Sequence, residues 1–298
     1  MAQAHFGEIA SLITAVFWTI TATSFELAGK KVGSLSVNYI RLMIGFILIS
    51  LYTTFTRGMF LPLDATSRAW FYLSLSGLIG FVIGDMFLFQ AYVEIGSRIS
   101  MLIMALVPPI TAFLGYITMG ELLTVSNIIG MIITISGIAL VVLMRNPEEK
   151  TLKFSYSVKG ISYAFIGAIG QSLGLILSKI GMGDYNPFAA TQIRIISGIV
   201  GFTIVFFAMK KWDKLKEALS DKNAMKYISI GSIFGPFLGV SFNLLAIQYT
   251  TTGVASTITS IVPVLIIPAS VFILKEKVSP KEIIGAVVTV VGVSLLFI

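Results

Sequence analysis

YLSLSGLIGFVIGDMFLFQA, residues 72–91, and YISIGSIFGPFLGVSFNLLA, residues 227–246, are one pattern written twice, 155 positions apart. Tyr72 aligns with Tyr227, Gly80 with Gly235, Gly84 with Gly239, Phe87 with Phe242 and Ala91 with Ala246. The same shift continues through Pro108 and Pro263, Glu121 and Glu276, Gly130 and Gly285, and Gly137 and Gly292. Glycines in apolar runs coincide by chance, but Pro, Glu and Gly holding one spacing through three successive segments do not. Upstream, a shift of 153 pairs Trp18 with Gln171 and Arg41 with Arg194, the two-residue difference falling in the following loop. The chain therefore reads as an internal duplication with a unit of about 150 residues, the long-period self-similarity to look for in a transporter.

The repeated unit is built for a bilayer. The 298 residues are 56% hydrophobic and only 12% charged, with a mean hydropathy of +0.94, which leaves a water-soluble domain too little polar surface. A hydrocarbon core of about 30 Å takes about 20 mostly apolar residues per helix. Cutting at the polar stretches gives ten such segments, at 8–28, 36–56, 70–92, 99–119, 124–144, 156–179, 188–209, 226–248, 254–274 and 281–298. The fold expected is an all-α membrane protein of ten transmembrane helices, as two five-helix repeats at 1–145 and 146–298. Five is odd, so the second repeat enters from the opposite side and the halves are inverted. Two similar halves can exchange conformations, closing a central site on one side while opening it on the other. Arg145 to Ser155 and Lys210 to Lys226 are long enough for a loop or a short surface helix, and the first segment reads as a retained helix, not a cleaved signal.

Several chemistries are excluded. There is no cysteine and a single histidine, His5, so thiolate metal sites, disulfides and imidazole clusters cannot form. No cofactor or metal is expected. No GxxxxGK[ST] loop occurs, so the chain does not hydrolyse nucleotide by itself and a gradient must supply the energy. The net charge of +7 sits in connectors beside apolar spans, where lipid headgroups and topology account for it and nucleic acid is not needed. Sixteen Lys and Arg fall in odd-numbered connectors, and only Arg57 and Arg68 in even ones. The positive-inside rule then puts odd connectors in the cytoplasm and both termini outside.

The Trp18-to-Arg41 spacing, the run from Ala91 to Pro108, and Gly120-Glu121 followed by Gly130 and Gly137, echoed by Pro263, Glu276, Gly285 and Gly292, resemble the EamA-type family of the drug/metabolite transporter superfamily. The resemblance spans essentially the whole chain. It implies a ten-helix secondary transporter, often an exporter of amino acids and related metabolites, with a cavity between its halves. It also implies cytoplasmic termini, against the charge count. One departure stands out: the family often has a basic residue eight positions after the Trp, where this chain has Glu26 and its repeat mate is Lys179.

Polar groups inside a span are costly and usually face a cavity or a partner. Asp85 lies deep in the third segment, with Gln90 five residues on. It could take up a proton, pair with a cationic solute, or hold a neighbouring helix by a structural hydrogen bond. In the first segment Trp18, Thr19, Thr23 and Glu26 recur at helical spacing and suit a water-filled face. Glu26 is either part of that face or the ion-pair partner of Arg41, which lies at a similar depth. Gln171 and Lys179 of the sixth segment and Ser241 and Asn243 of the eighth are the counterparts. Asn243 aligns with Leu88 and not with Asp85, so the halves are chemically unequal. Pro108, Pro109, Pro263 and Pro268 remove backbone hydrogen bonds and are hinge candidates. Gly130, Gly137, Gly285 and Gly292 read as a packing seam between outer helices.

These observations favour a gradient-driven transporter of small metabolites in the cell membrane, coupled to a proton, an ion or the solute alone, with Asp85 and Glu26 as candidate proton carriers. An intramembrane enzyme acting on lipid-linked substrates would need a clustered catalytic set, and a scaffold or receptor would need long loops; neither is visible. Solute identity, flux direction and oligomeric state are not encoded in these patterns.

Overall fold

The computed structural model describes residues 6–119, 124–145, 152–250, 255 and 258–295. The chain enters through α1 (Phe6–Val32) and α2 (Ser34–Arg57). They are separated by Gly33 alone, whose φ of 82° is a conformation that side-chain-bearing residues avoid. Gly58 closes α2 in the left-handed region and donates its N–H to Thr54 O. Helix α3 (Ser67–Met104) opens on Thr66, whose side chain accepts from Ala69 N–H. At Gly96 the backbone turns out of the helix (φ 81°, ψ 157°), so the expected third and fourth segments meet there, end to end. A brief break after Met104 leads into α4 (Val107–Met119), and α5 (Val125–Val142) starts at a capping box formed by Thr124 and Asn127.

The second half is α6 (Val158–Met182), α7 (Pro187–Met209), α8 (Trp212–Ser220), α9 (Lys222–Tyr249), α10 (Val262–Phe272) and α11 (Pro280–Leu295). Asn186 caps α7, with Pro187 in the first turn where its missing N–H costs nothing. Asp221 caps α9 through Ala224 N–H. Helix α8 realises the short surface helix expected in the Lys210–Lys226 stretch. It buries Leu215 and Ala218, sets Trp212 against Tyr39, Phe206 and Phe207, and leaves Asp213, Lys214, Lys216 and Glu217 in solvent. The loop after α5 is tied by strands β1 (Leu143–Arg145) and β2 (Leu152–Phe154), antiparallel with Met144 opposite Lys153. Among the described residues this ladder is the one departure from the expected all-α chain.

Among the described residues seven helices, α1, α2, α3, α5, α6, α7 and α9, are long and apolar enough to cross a membrane. Phe55, Phe71, Ile204 and Phe207 stand exposed on the outside of the bundle, a wall that suits acyl chains and would be a liability in water.

The halves pack through one another: α6 lies on α3, and α1 on α9. A Cβ on Gly170 would fall 2.7 Å from Gly84 Cα, and one on Gly174 3.1 Å from Gly80 Cα, so α6 and α3 touch backbone to backbone. Ser76 and Ser178 complete this seam with a 2.7 Å hydroxyl contact. Helices α5 and α11 meet at the four glycines expected to form a seam. A Cβ on Gly137 would lie 2.9 Å from Gly285 O, and one on Gly292 2.9 Å from Gly130 O.

One feature had no sequence signature. Leu78–Gly84 of α3 and Ile233–Gly239 of α9 are π-helical, so Asp85 N–H reaches Gly80 O and Val240 N–H reaches Gly235 O, five residues back. The two segments are again 155 residues apart. Each inserts an extra residue and re-aims the helix that follows, a device concentrated at functional positions.

Candidate functional site

Asp85 follows the first π segment and is turned into the bundle, 5% exposed. Its Oδ2 accepts from Arg41 Nη2 at 2.5 Å, and its Oδ1 accepts from Gln171 Nε2 at 2.5 Å. Gln171 reaches it because α6 approaches α3 through glycines, and its amide also donates to Gly80 O. Asn38, three residues before Arg41, accepts from Arg41 Nε at 3.0 Å and donates to Asp85 O at 3.1 Å. The guanidinium of Arg41 also lies over the Phe89 ring, 4.7 Å from its centre. Asn38, Arg41 and Asp85 are buried and Gln171 half-buried, and the charged pair is held by several hydrogen bonds, the condition under which a charge is tolerated out of water.

This cluster forms one wall of a central cavity of about 160 Å³. Trp18, Phe25, Phe81 and Phe89 supply aromatic surface, Pro108 and Pro263 border it, and Arg194 and Asn243 face it from the second half. Arg194 is the repeat mate of Arg41. The residue corresponding to Asp85 is Val240, and the one corresponding to Gln171 is Trp18. Arg194 is 5% exposed and stacks 4.6 Å from the Phe81 ring centre. Among the described residues its Nε has no hydrogen-bond partner.

Charges from both halves gather at the odd-connector end of the bundle. Glu26, fully buried, accepts from Ser97 N–H at 2.6 Å, just beyond the Gly96 break, and pairs with Lys30. Arg98 bonds Glu276 at 3.1 Å and Glu282 at 2.5 Å, and Tyr156 donates to Glu282. At the opposite end Arg57 pairs with Asp64, which also accepts from Tyr185 at 2.8 Å. Burial works to raise the Asp64 carboxyl, but the hydrogen bond from Tyr185 and the charge of Arg57 outweigh it and hold Asp64 below the usual carboxylate range.

Of the cavity candidates, Trp18, Asp85, Gln171 and Asn243 lie on its wall. Thr19 and Thr23 do not: their hydroxyls bond back to Ala15 O and Thr19 O within α1. Glu26 lies outside the wall, and the Glu26–Arg41 ion pair does not form, because Arg41 is taken by Asp85. Gln90 accepts from Ser34 at 2.7 Å, Lys179 is exposed, and Ser241 is buried away from the wall, its hydroxyl without a partner among the described residues. Pro109 is buried behind Pro108, and Pro268 faces outward. Glu276 serves the Arg98 cluster, and Glu121 lies outside the described residues. Sequence reasoning passed over Arg194, Thr21 and Tyr92 as wall residues. The signal for Arg194 was present: a charge at mid-helix, matched to Arg41, with valine where its acid should stand. No group of three or more His, Cys, Asp or Glu positioned for a metal occurs among the described residues.

A largely apolar chamber carrying a few charged and amide groups, set among repeated apolar helices, defines a multi-pass membrane protein with a solute-sized site at its centre. The chain belongs to the EamA-like transporter family, whose pattern matches residues 5–143 and again 158–298. It is 28% identical over 141 residues to an uncharacterized transporter of Clostridium kluyveri, a match covering 47% of this chain and 44% of that one. An uncharacterized transporter of Archaeoglobus fulgidus is 21% identical over 74% of this chain and 75% of its own. Protein LicB of Haemophilus influenzae is 25% identical over 47% of this chain and 48% of its own. In two of these three relatives the match thus spans less than half of the relative's length. A crystal structure with 16% identity superposes with a TM-score of 0.66 over 97% of this chain and 95% of its own, a likeness of fold.

Proposed function

We propose that the protein is a gradient-driven transporter of small metabolites, working by alternating access between two inverted repeats, 1–145 and 146–298, and exporting amino acids or related compounds from the cell. The observation that carries this reading is the central cavity with its Arg41–Asp85–Gln171 cluster, because paired charges facing a cavity between repeated apolar helices suit a solute path and are costly to keep in a packed scaffold. Ten crossings follow if Gly96 divides α3 into two spans and α10 and α11 add two more to the seven long helices. The Arg98–Glu276–Glu282 contacts join the halves at the odd-connector end, where Glu26 and Ser97 tie two helices of the first half together, and the Arg57–Asp64–Tyr185 contacts join the halves at the other end. Gates that break and re-form in alternation would be built from such groups. The π turns and Pro108 and Pro263 border the cavity where a hinge would act. The charge count favours a cytoplasmic odd-connector end.

Flux of radiolabelled small metabolites into proteoliposomes tests the reading. Wild type moves at least one solute down an imposed gradient, and Asp85→Asn lowers that flux at least tenfold while the protein still inserts. A wild type that moves none of a broad panel of amino and organic acids, or an Asp85→Asn variant that moves them at the wild-type rate, rejects it. A reporter fused to each terminus tests the orientation.

A further inference from the structure

Arg194 is a buried cation of the cavity that feels the charge of Asp85 but has no carboxylate bonded to it among the described residues. Its mate Arg41 has Asp85; the residue matching Asp85 is Val240. Asp85 bonds Arg41 through Oδ2 and Gln171 through Oδ1, and its single charge, which also acts on Arg194, cannot neutralise two guanidinium groups. The wall therefore carries two guanidinium groups and one carboxylate, an excess of one positive charge, and the Arg194 Nε lacks a partner among the described residues. Stacking on Phe81 softens this but supplies no acceptor. A guanidinium held out of water without an acid is costly, and an entering anion lifts that cost. Its planar fork matches a carboxylate with two parallel hydrogen bonds.

The rest of the chamber limits the size and body of the solute. Its surface is mostly hydrocarbon and aromatic, from Trp18, Phe25, Phe89 and Leu175, and its volume is about 160 Å³; an apolar cavity of about 150 Å³ is known to accept benzene. Thr21, also on the wall, has a buried hydroxyl with no partner among the described residues.

We propose that Arg194 is the anion subsite of the cavity and that its ligand is a small organic monoanion, one carboxylate on an apolar body of about ring size. The inference rests on the transport reading and narrows its substrate class. A zwitterion brings an ammonium in with its carboxylate and leaves the excess charge in place, and a dianion reverses it.

The test is equilibrium binding of radiolabelled benzoate to the purified full-length protein in detergent, with benzamide and phenylalanine as neutral and zwitterionic comparators. Benzoate binds, and each comparator binds at least tenfold more weakly. Arg194→Gln weakens benzoate at least tenfold. Val240→Asp does the same while keeping the arginine, because it places a carboxylate at the position equivalent to Asp85; it carries the test if Arg194→Gln fails to fold. Absence of benzoate binding, a comparator that binds as tightly, or either folded variant with wild-type affinity overturns the proposal. The two readings fail separately. Arginine-dependent benzoate binding without flux of any solute supports the subsite and sinks transport, whereas flux of some other solute without benzoate binding sinks the subsite alone.

Discussion

The two halves of this protein share a backbone and differ in chemistry. Each carries a π turn at the same place, each puts an arginine on its second helix, and each lays its first helix against the third helix of the other half. In the first half the arginine meets Asp85 and, across the seam, Gln171. In the second half the equivalent positions are Val240 and Trp18, and Arg194 stacks on Phe81 without an acid. The seams differ in the same way: α6 meets α3 through Gly170, Gly174 and Ser178, whereas α1 meets α9 through Phe17, Thr21 and Phe25, their repeat mates under the 153 shift. Duplication has kept what sets helix geometry and released what faces the cavity. An asymmetric solute on a near-symmetric axis calls for such a division.

The largest effect expected from this comparison is a split between the two arginines. Arg41→Met leaves Asp85 buried without its cation, and breaking a buried pair in this way costs about 3–5 kcal/mol. Arg194→Met removes a cation that no acid bonds and that only shares the charge of Asp85, so its stability stays within about 1 kcal/mol of wild type, the lost ring contact and the shared charge opposing the relief of burial. Thermal and denaturant unfolding of both variants in the same detergent checks this. Equal losses would mean that Arg194 has a partner of its own and that the halves are electrostatically alike.

A smaller effect separates the seams. On Gly170 a methyl meets the Gly84 backbone, Cα at 2.7 Å and N at 3.0 Å, which has no room to give. On Gly235 it meets the Thr21 side chain, Cγ2 at 2.9 Å, which can change rotamer. Gly170→Ala is therefore expected to cost about 1–3 kcal/mol by overpacking, and Gly235→Ala less than half of that. Because Gln171 rides on the same turn, Gly170→Ala also displaces its amide from Asp85. Unfolding midpoints of the two alanine variants measured side by side decide the order, and the reverse order would show that the α1–α9 contact is the tighter one.

How much of this the sequence disclosed follows from the same division. The repeat was legible because Gly, Pro and Tyr at fixed spacing answer to backbone geometry, which duplication preserved. Asp85, Gln171 and Trp18 were legible because polar or indole groups inside an apolar span have few other uses. The partner of Arg41 was not. Arg41 is eight residues after the Gly33 turn and Glu26 seven before it, so at about 1.5 Å per residue both lie about 10–12 Å deep. Depth alone made them a pair. Which way each side chain points depends on helix rotation, and the extra residue of the π turn sets Asp85, not Glu26, opposite Arg41. That extra residue leaves no mark in composition or hydropathy. The threonines of α1 misled for a related reason, since a buried threonine can spend its hydroxyl on the carbonyl four residues back and need not face water.

The smallest expected effect contrasts the buried cluster with the half-exposed one at the connector end. Asp64 is 37% exposed and its pairing with Arg57 is partly in solvent, where such a pair contributes about 0–1 kcal/mol. Its carboxyl is held below the usual range, so its contribution is complete above that range and is lost as pH falls through it. Tyr185 works in the other direction: burial first, and then its hydrogen bond to Asp64, push its hydroxyl up to about 12. Its contribution is complete below the ordinary tyrosine value of about 10 and is lost as pH rises toward 12. The two together give a stability plateau across neutral pH that falls at both ends. Asp64→Asn flattens the acid shoulder and lowers the midpoint at pH 7 by no more than about 4 °C. Melting curves from pH 3 to pH 8 for wild type and Asp64→Asn measure it. If the acid shoulder is unchanged in the variant, the connector ends are held by Gln192, which donates to Phe60 O at 2.7 Å and to Ser50, and the charge pair there is only a solvated contact.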